Sequence, residues 1–134
     1  MSPYDLPPRM AAKVAIDHVG CWLWTGAISS NGYGSVGYDG RIHSTHRLAY
    51  RLLVGEVSDG LTLDHLCRRR NCLNPQHLEP VSASTNVRRA YAMRTTCNHG
   101  HDYSEANTYL TTRGTRECRT CRAERQRERR KQAA

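Results

Sequence analysis

Leu63–Asn86, LDHLCRRRNCLNPQHLEPVSASTN, holds most of the chain's chemistry in 24 residues. Asp64 and His65 set a carboxylate beside an imidazole, and Cys67, Cys72 and His77 follow at C-x4-C-x4-H spacing. Leu61 to Leu66 reads as a strand that enters this ligand-rich loop, and Leu78 to Val81 as the strand that leaves it. Ser82 then caps a helix to about Met93, so Asn86 can return its amide towards Asp64. The predicted unit is strand, ligand loop, strand, helix.

Three ligands this close leave one corner of a tetrahedral zinc site open, and short loops between ligands keep the closure entropy small. Cys21 is the one cysteine outside both this stretch and the C-terminal group. It is therefore the expected fourth ligand. The remaining cysteines form a second set, Cys97, His101, Cys118 and Cys121, at C-x3-H-x16-C-x2-C spacing. A C-x2-C turn points both sulfurs at one ion. His99 competes with His101 for the histidine position, and Gly100 favours His101 by freeing the backbone to turn that ring inward. The two sites together use all six cysteines.

Composition agrees with metal staples. A 134-residue chain without phenylalanine and with 38% hydrophobic residues buries only a modest core. The N-terminus shows no apolar run of signal-peptide length and no stretch approaches a membrane span. A cytoplasmic setting with reduced thiols is expected, in which cysteine mixed with histidine favours zinc over disulfides. The net charge is +8. Nine basic residues against three acids between Arg113 and Lys131 put most of the excess near the C-terminus. A basic tail of this kind attracts polyanions, nucleic acid foremost.

Adjacent strand residues face opposite ways, so Asp64 and His65 divide their labour. Asp64 suits a hard cation, completed by the neutral oxygen of Asn86, while His65 has the pKa range of a general base acting on water. A cation that also touches the scissile phosphate stabilises charge in the transition state.

The frame DH-x-C-x4-C-x-N-P-x-H-L, with Asn86 nine residues after His77, resembles the HNH, or ββα-metal, nucleases. It looks most like the zinc-stabilised branch with phage-borne HNH proteins and His-Cys box homing endonucleases. Cys21-Trp22-Leu23-Trp24-Thr25-Gly26, Gly32-Tyr33-Gly34 and His46-Arg47-Leu48-Ala49-Tyr50 resemble the family's upstream blocks, and Gly100-His101 with Cys118-Arg119-Thr120-Cys121 its second zinc segment. The resemblance covers about residues 20 to 122. It implies His65 as general base, Asp64 and Asn86 as holders of one magnesium or manganese ion, and products with 5′-phosphate and 3′-hydroxyl ends. His77 stands where plainer HNH motifs have their middle asparagine and is expected on zinc, leaving Asn74 to brace the loop with Pro75. The Asp before the base places the chain nearer the phage HNH type. Arg68, Arg69 and Arg70 on the zinc loop, Arg88 and Arg89 after Asn86, and Arg41 or Arg47 upstream are the candidate DNA contacts.

The expected architecture is α+β: a small antiparallel sheet plus the ββα-metal motif, stapled by two structural zincs. Pro7 and Pro8 suit the start of a short helix reaching about Ile16. Cys21 to His43 reads as aromatic and β-branched strands, with Asp39-Gly40 as a hairpin turn. Thr45 reads as the cap of a helix from His46 to Val54, stopped by Gly55. Residues 1–95 are expected to form the nuclease core, 96–122 a loop-rich zinc knuckle and 123–134 a basic tail, helical or disordered. The partner implied is double-stranded DNA, with no membrane; a homodimer is allowed but not required. The alternative is a non-catalytic zinc-containing DNA-binding regulator, which has no need of Asp64, His65 and Asn86 together.

Overall fold

The computed structural model describes residues 1–133. Near the N-terminus, α1 (Pro8–Ala11) is only one turn long, with proline at its first position. The helix expected as far as Ile16 gives way instead to β1 (Val14–Ile16), paired antiparallel with β2 (Trp22–Trp24) in the register Val14↔Trp24 to Ile16↔Trp22. β-Branched Val14 and Ile16 lose little in an extended backbone, and the ladder with β2 satisfies groups that a four-residue helix leaves open. Trp22 and Trp24 point to the same side and are buried with Leu6, Met10, Leu48, Ala49 and Leu73. These two indoles are the bulk of the small core.

β3 (Ser35–Tyr38) and β4 (Arg41–Ser44) form the expected hairpin. Asp39 and Gly40 both adopt positive φ, 49° and 72°, as a two-residue primed turn requires. This hairpin and the β1–β2 pair are separate sheets, not one. α2 (Thr45–Leu53) follows at once, one residue earlier than expected, with Ser44 at the cap position. Gly34 lies so close to Trp24 and to the start of α2 that a Cβ there would meet Thr45 Oγ1 at 2.3 Å and Trp24 Cδ1 at 2.7 Å.

β5 (Leu61–His65) pairs antiparallel with β6 (Leu78–Ser82), from Leu61↔Ser82 to His65↔Leu78. α3 (Ala83–Ala92) continues from β6, and the Ser82 hydroxyl accepts the Thr85 amide at 3.2 Å. The loop between β5 and β6 is tied to the core by its backbone. The Trp24 amide donates to the Asn71 carbonyl and the Leu73 amide to the Trp22 carbonyl, each at 2.9 Å. Asn71–Leu73 thus completes the free edge of β2 and brings the loop beside Cys21.

The chain divides into two compact units, residues 1–86 and 87 onward. In the second, β7 (Thr108–Leu110) and β8 (Arg116–Cys118) form a hairpin within the segment expected to be loop-rich. α4 (Arg119–Ala133) makes a regular helix of the basic tail. Asn107 supplies its cap from outside: the side-chain oxygen accepts the Thr120 amide at 3.0 Å and the Thr120 hydroxyl at 2.8 Å. The architecture is mixed α and β, with small antiparallel sheets. Among the described residues no helix is long and apolar enough to cross a membrane.

Candidate active site and metal centres

The residues expected to bind the first zinc come together. The ligand atoms of Cys21, Cys67, Cys72 and His77 all lie within 4.8 Å of one another. His77 Nδ1 is 3.5 Å from Cys21 Sγ and 3.7 Å from Cys72 Sγ. Zinc bonds of about 2.3 Å to sulfur and about 2.0 Å to nitrogen place tetrahedral neighbours roughly 3.5–3.8 Å apart, so the cradle fits the ion. Burial pushes the Cys72 thiol up to about 12, and a thiolate there requires a cation to compensate it.

Cys97, His101, Cys118 and Cys121 form the second set, again with all ligand atoms within 4.8 Å. Cys97 Sγ is 3.6 Å from His101 Nδ1 and 3.7 Å from Cys121 Sγ, and Cys118 Sγ is 3.7 Å from the same nitrogen. His101 holds the fourth corner and His99 is exposed. Gly100 adopts φ 83°, turning the chain between them. The amide of Cys121 leads the causes that lower the Cys118 thiol to about 6. Each set could hold a metal ion.

Asp64 and His65 sit at the end of β5, and both are buried, 3% and 5% exposed. Opposite strand faces would ordinarily leave one of them in solvent. Here each face is covered. On one, the Arg68 guanidinium bonds Asp64 Oδ1 at 2.7 Å. Arg68 holds this contact from a left-handed backbone, φ 61°, unusual for a residue with a Cβ. On the other, His65 Nε2 lies 3.0 Å from the Cys72 carbonyl oxygen. A carbonyl only accepts, so Nε2 carries the proton and Nδ1 keeps the lone pair. Burial lowers the His65 pKa below its ordinary value, against the Cys72 carbonyl and Asp64, which raise it. The ring is therefore a neutral imidazole with a defined basic nitrogen at neutral pH. Asn86 is half-buried in the first turn of α3.

His46, which sequence reasoning placed in a family block but not in the site, packs directly against the candidate base. Its ring centroid is 4.9 Å from that of His65 and 5.0 Å from that of Tyr33, and Tyr33 is 5.8 Å from His65. It is 7% exposed, and its Nδ1 and the neighbouring Thr45 Oγ1 have no hydrogen-bond partner among the described residues. Burial, then the charges of His65 and Arg47, depress its pKa to about 3. The signal for burial lay in the pattern Thr45, His46, Leu48, Ala49, which marks one inward face of α2.

The candidate DNA-contacting arginines are unequally placed. Arg41 and Arg47 are exposed on β4 and α2. Of the three on the zinc loop, Arg68 holds Asp64, Arg69 pairs with Asp17, and Arg70 donates to the Asn31 carbonyl at 2.7 Å while lying over the Tyr33 ring. Each braces the loop within the first unit. Arg88 and Arg89 follow Asn86 on α3, exposed and half-buried. Asn74, buried, donates to the Gly20 carbonyl at 2.7 Å and accepts the Gln76 amide at 3.0 Å, the loop-bracing geometry expected of it.

An antiparallel strand pair leads into a helix, with a buried Asp-His pair where β5 ends and a Cys/His set, drawn mostly from the connecting loop, that could hold a metal ion. Residues 43–88 match the family model of the HNH endonuclease, which bears out the resemblance read from the motif. Two Escherichia phage T7 proteins are similar. Protein 7.7 is 36% identical over 58 residues, covering 43% of this chain and 45% of that protein. Protein 2.8 is 30% identical over 88 residues, covering 62% and 60% respectively. The chain thus spans about half the length of the curated relatives it matches. No solved structure matches. The HNH match spans Asp64, His65, three members of the first Cys/His set and Asn86.

Proposed function

We propose that the chain is a DNA endonuclease that hydrolyses phosphodiester bonds in double-stranded DNA with a divalent cation, acting in the cytoplasm of a bacterial host or phage-infected cell. The single observation that carries this reading is the fixing of His65. Its Nε2 proton is committed to the Cys72 carbonyl, its pKa is depressed by burial, and Nδ1 is left to take a proton from water. The rings of His46 and Tyr33, packed at a tilt against the imidazole, limit its rotation, so its basic nitrogen is aimed before substrate arrives.

Asp64 and Asn86 offer one carboxylate and one amide oxygen, the hard donors that suit magnesium or manganese. The buried Asp64 carboxylate already holds a cationic partner, Arg68, so positive charge fits at that oxygen. A bound divalent ion would polarise the scissile phosphate and stabilise the departing 3′ oxygen. His65 accepts a proton from the attacking water, whose oxygen bonds to phosphorus as the P–O3′ bond breaks; the 3′ oxygen takes a proton from solvent water, giving 5′-phosphate and 3′-hydroxyl ends. Cys21, Cys67, Cys72 and His77 would hold a zinc that shapes the loop carrying the Cys72 carbonyl and so orients the base without joining the chemistry. Cys97, His101, Cys118 and Cys121 would hold the second, which would anchor the hairpin and α4.

Relaxation of supercoiled plasmid in magnesium tests the reading. Wild type should nick it and His65→Ala should lose at least about a hundredfold in rate, the ordinary contribution of a general base. Equal rates for the two would remove the catalytic claim and leave a DNA-binding scaffold.

A further inference from the structure

α4 is electrically two-sided. Arg119, Arg122, Arg125 and Arg129 recur at three- and four-residue steps, which places them on one face of the helix. Both of its acids, Glu124 and Glu128, fall on the opposite face, beside Arg127 and Lys131. This arginine-rich face, which Gln126 shares, borders a groove of about 390 Å³, where Arg122, Arg125 and Arg129 line one side and Tyr109, Thr111 and Glu117 the other. Glu117 is the one acid in that lining.

Two of the guanidinium groups are held in advance. Arg122 lies 4.6 Å and Arg119 5.8 Å from the Tyr109 ring centroid. Arg119 Nε also donates to the Thr108 carbonyl at 3.2 Å. Arginines fixed in this way lose less side-chain freedom on meeting an anion. The helix itself is anchored at its first turn by Cys121 in the second Cys/His cluster.

We propose that this face of α4 is a docking surface for the phosphate backbone of double-stranded DNA, separate from the candidate active site. From Arg122 to Arg129 the helix advances about 10 Å, long enough for its guanidinium groups to reach more than one phosphate of a strand. The aromatic rings of this unit are engaged by guanidinium groups: Tyr109 by Arg119 and Arg122, Tyr103 by Arg116 and Tyr91 by Arg94. That leaves charge and hydroxyls for backbone contacts and does not favour a platform for stacking unpaired bases. The surface supplies affinity and salt dependence and carries no base readout.

The inference rests on DNA as the partner in the proposed function, and the test keeps the two apart. Binding of the full-length, zinc-loaded chain to a short fluorescein-labelled duplex is followed by anisotropy across a salt series, without magnesium. A groove variant (Arg122→Gln, Arg125→Gln, Arg129→Gln) is compared with a control that removes the same charge elsewhere on the helix (Arg127→Gln, Arg130→Gln, Lys131→Gln). Circular dichroism and zinc content verify that both fold. The groove variant should lower the slope of log K against log salt by about 2.7, and the control by less than about 1. Equal losses in the two variants, or no loss in the groove variant, overturn the proposal. Competition by polyglutamate as effective as by duplex also overturns it, because the partner would then be an acidic protein. Magnesium-dependent plasmid cleavage by wild type, measured separately, shows whether the nuclease reading stands when this surface fails.

Discussion

Arg68→Ala isolates the contact that links the candidate cation site to stability. Arg68 reaches Asp64 Oδ1 at 2.7 Å, with 37% of the arginine side chain and 3% of the aspartate side chain exposed. Removing one partner of a fully buried pair costs about 3–5 kcal/mol, and the exposed arginine reduces that to about 2 kcal/mol. Alanine and arginine both carry a Cβ, so the cost of the left-handed backbone at φ 61° cancels between them. Arg68→Gly recovers about 1 kcal/mol of that backbone strain and should therefore be the milder variant. Urea unfolding of the zinc-loaded protein without magnesium gives the values. A double-mutant cycle with Asp64→Asn should show a coupling of about 1–2 kcal/mol. Manganese should then stabilise Arg68→Ala more than wild type, because the ion no longer competes with a guanidinium. A coupling near zero, or equal manganese stabilisation of both proteins, refutes the argument that Asp64 requires a cation.

Three further outcomes test other parts of the structure. His46 has a folded pKa of about 3 against 6.5 unfolded, so between those values the unfolded state binds the extra proton. Stability is therefore greatest above pH 6.5 and falls on acidification, by about 1.4 kcal/mol near pH 5.5 from this residue. His46→Gln should remove that portion of the acid sensitivity, and parallel profiles for the two proteins would contradict it. Gly34→Ala forces a methyl to 2.3 Å from Thr45 Oγ1, and thermal unfolding should show a loss of about 2–3 kcal/mol. Wild-type stability in that variant would mean that the β3 approach to α2 is loose. Cys72→Ser and Cys97→Ser should each reduce the metal content by one zinc per chain, measured by elemental analysis; an unchanged content would reject the corresponding ligand set.

Much of the candidate site was legible because its signals are local. Cys67, Cys72 and His77 lie within one loop, and Asp39-Gly40 sets its own hairpin. Asn107 and the β7–β8 hairpin left no comparable local mark, since the cap that Asn107 gives to α4 comes from 13 residues away. Val14–Ile16 was misread as helix for the same reason: its partner, Trp22–Trp24, exists only once the chain turns at Gly20. The pairing of Cys21 with the zinc loop followed from counting ligands, but its cause is the backbone addition of Asn71–Leu73 to β2. The pairing of Arg68 with Asp64 depends on a left-handed residue, which sequence favours only at glycine or asparagine. His46 was hidden by its type: a histidine between a threonine and an arginine reads as a polar helix position, and only packing sets its ring against His65.

In the proposed reaction His65 takes the proton from water while Asp64 and Asn86 hold the cation. The most direct test is single-turnover cleavage of a labelled duplex by zinc-loaded protein over a magnesium titration, with analysis of the ends. The ends should carry 5′-phosphate and 3′-hydroxyl groups that ligase reseals. His65→Gln should be slow at every magnesium concentration, whereas Asp64→Asn should be impaired least at high magnesium. Ends with a 3′-phosphate, or a His65→Gln rate restored by added magnesium, would contradict it.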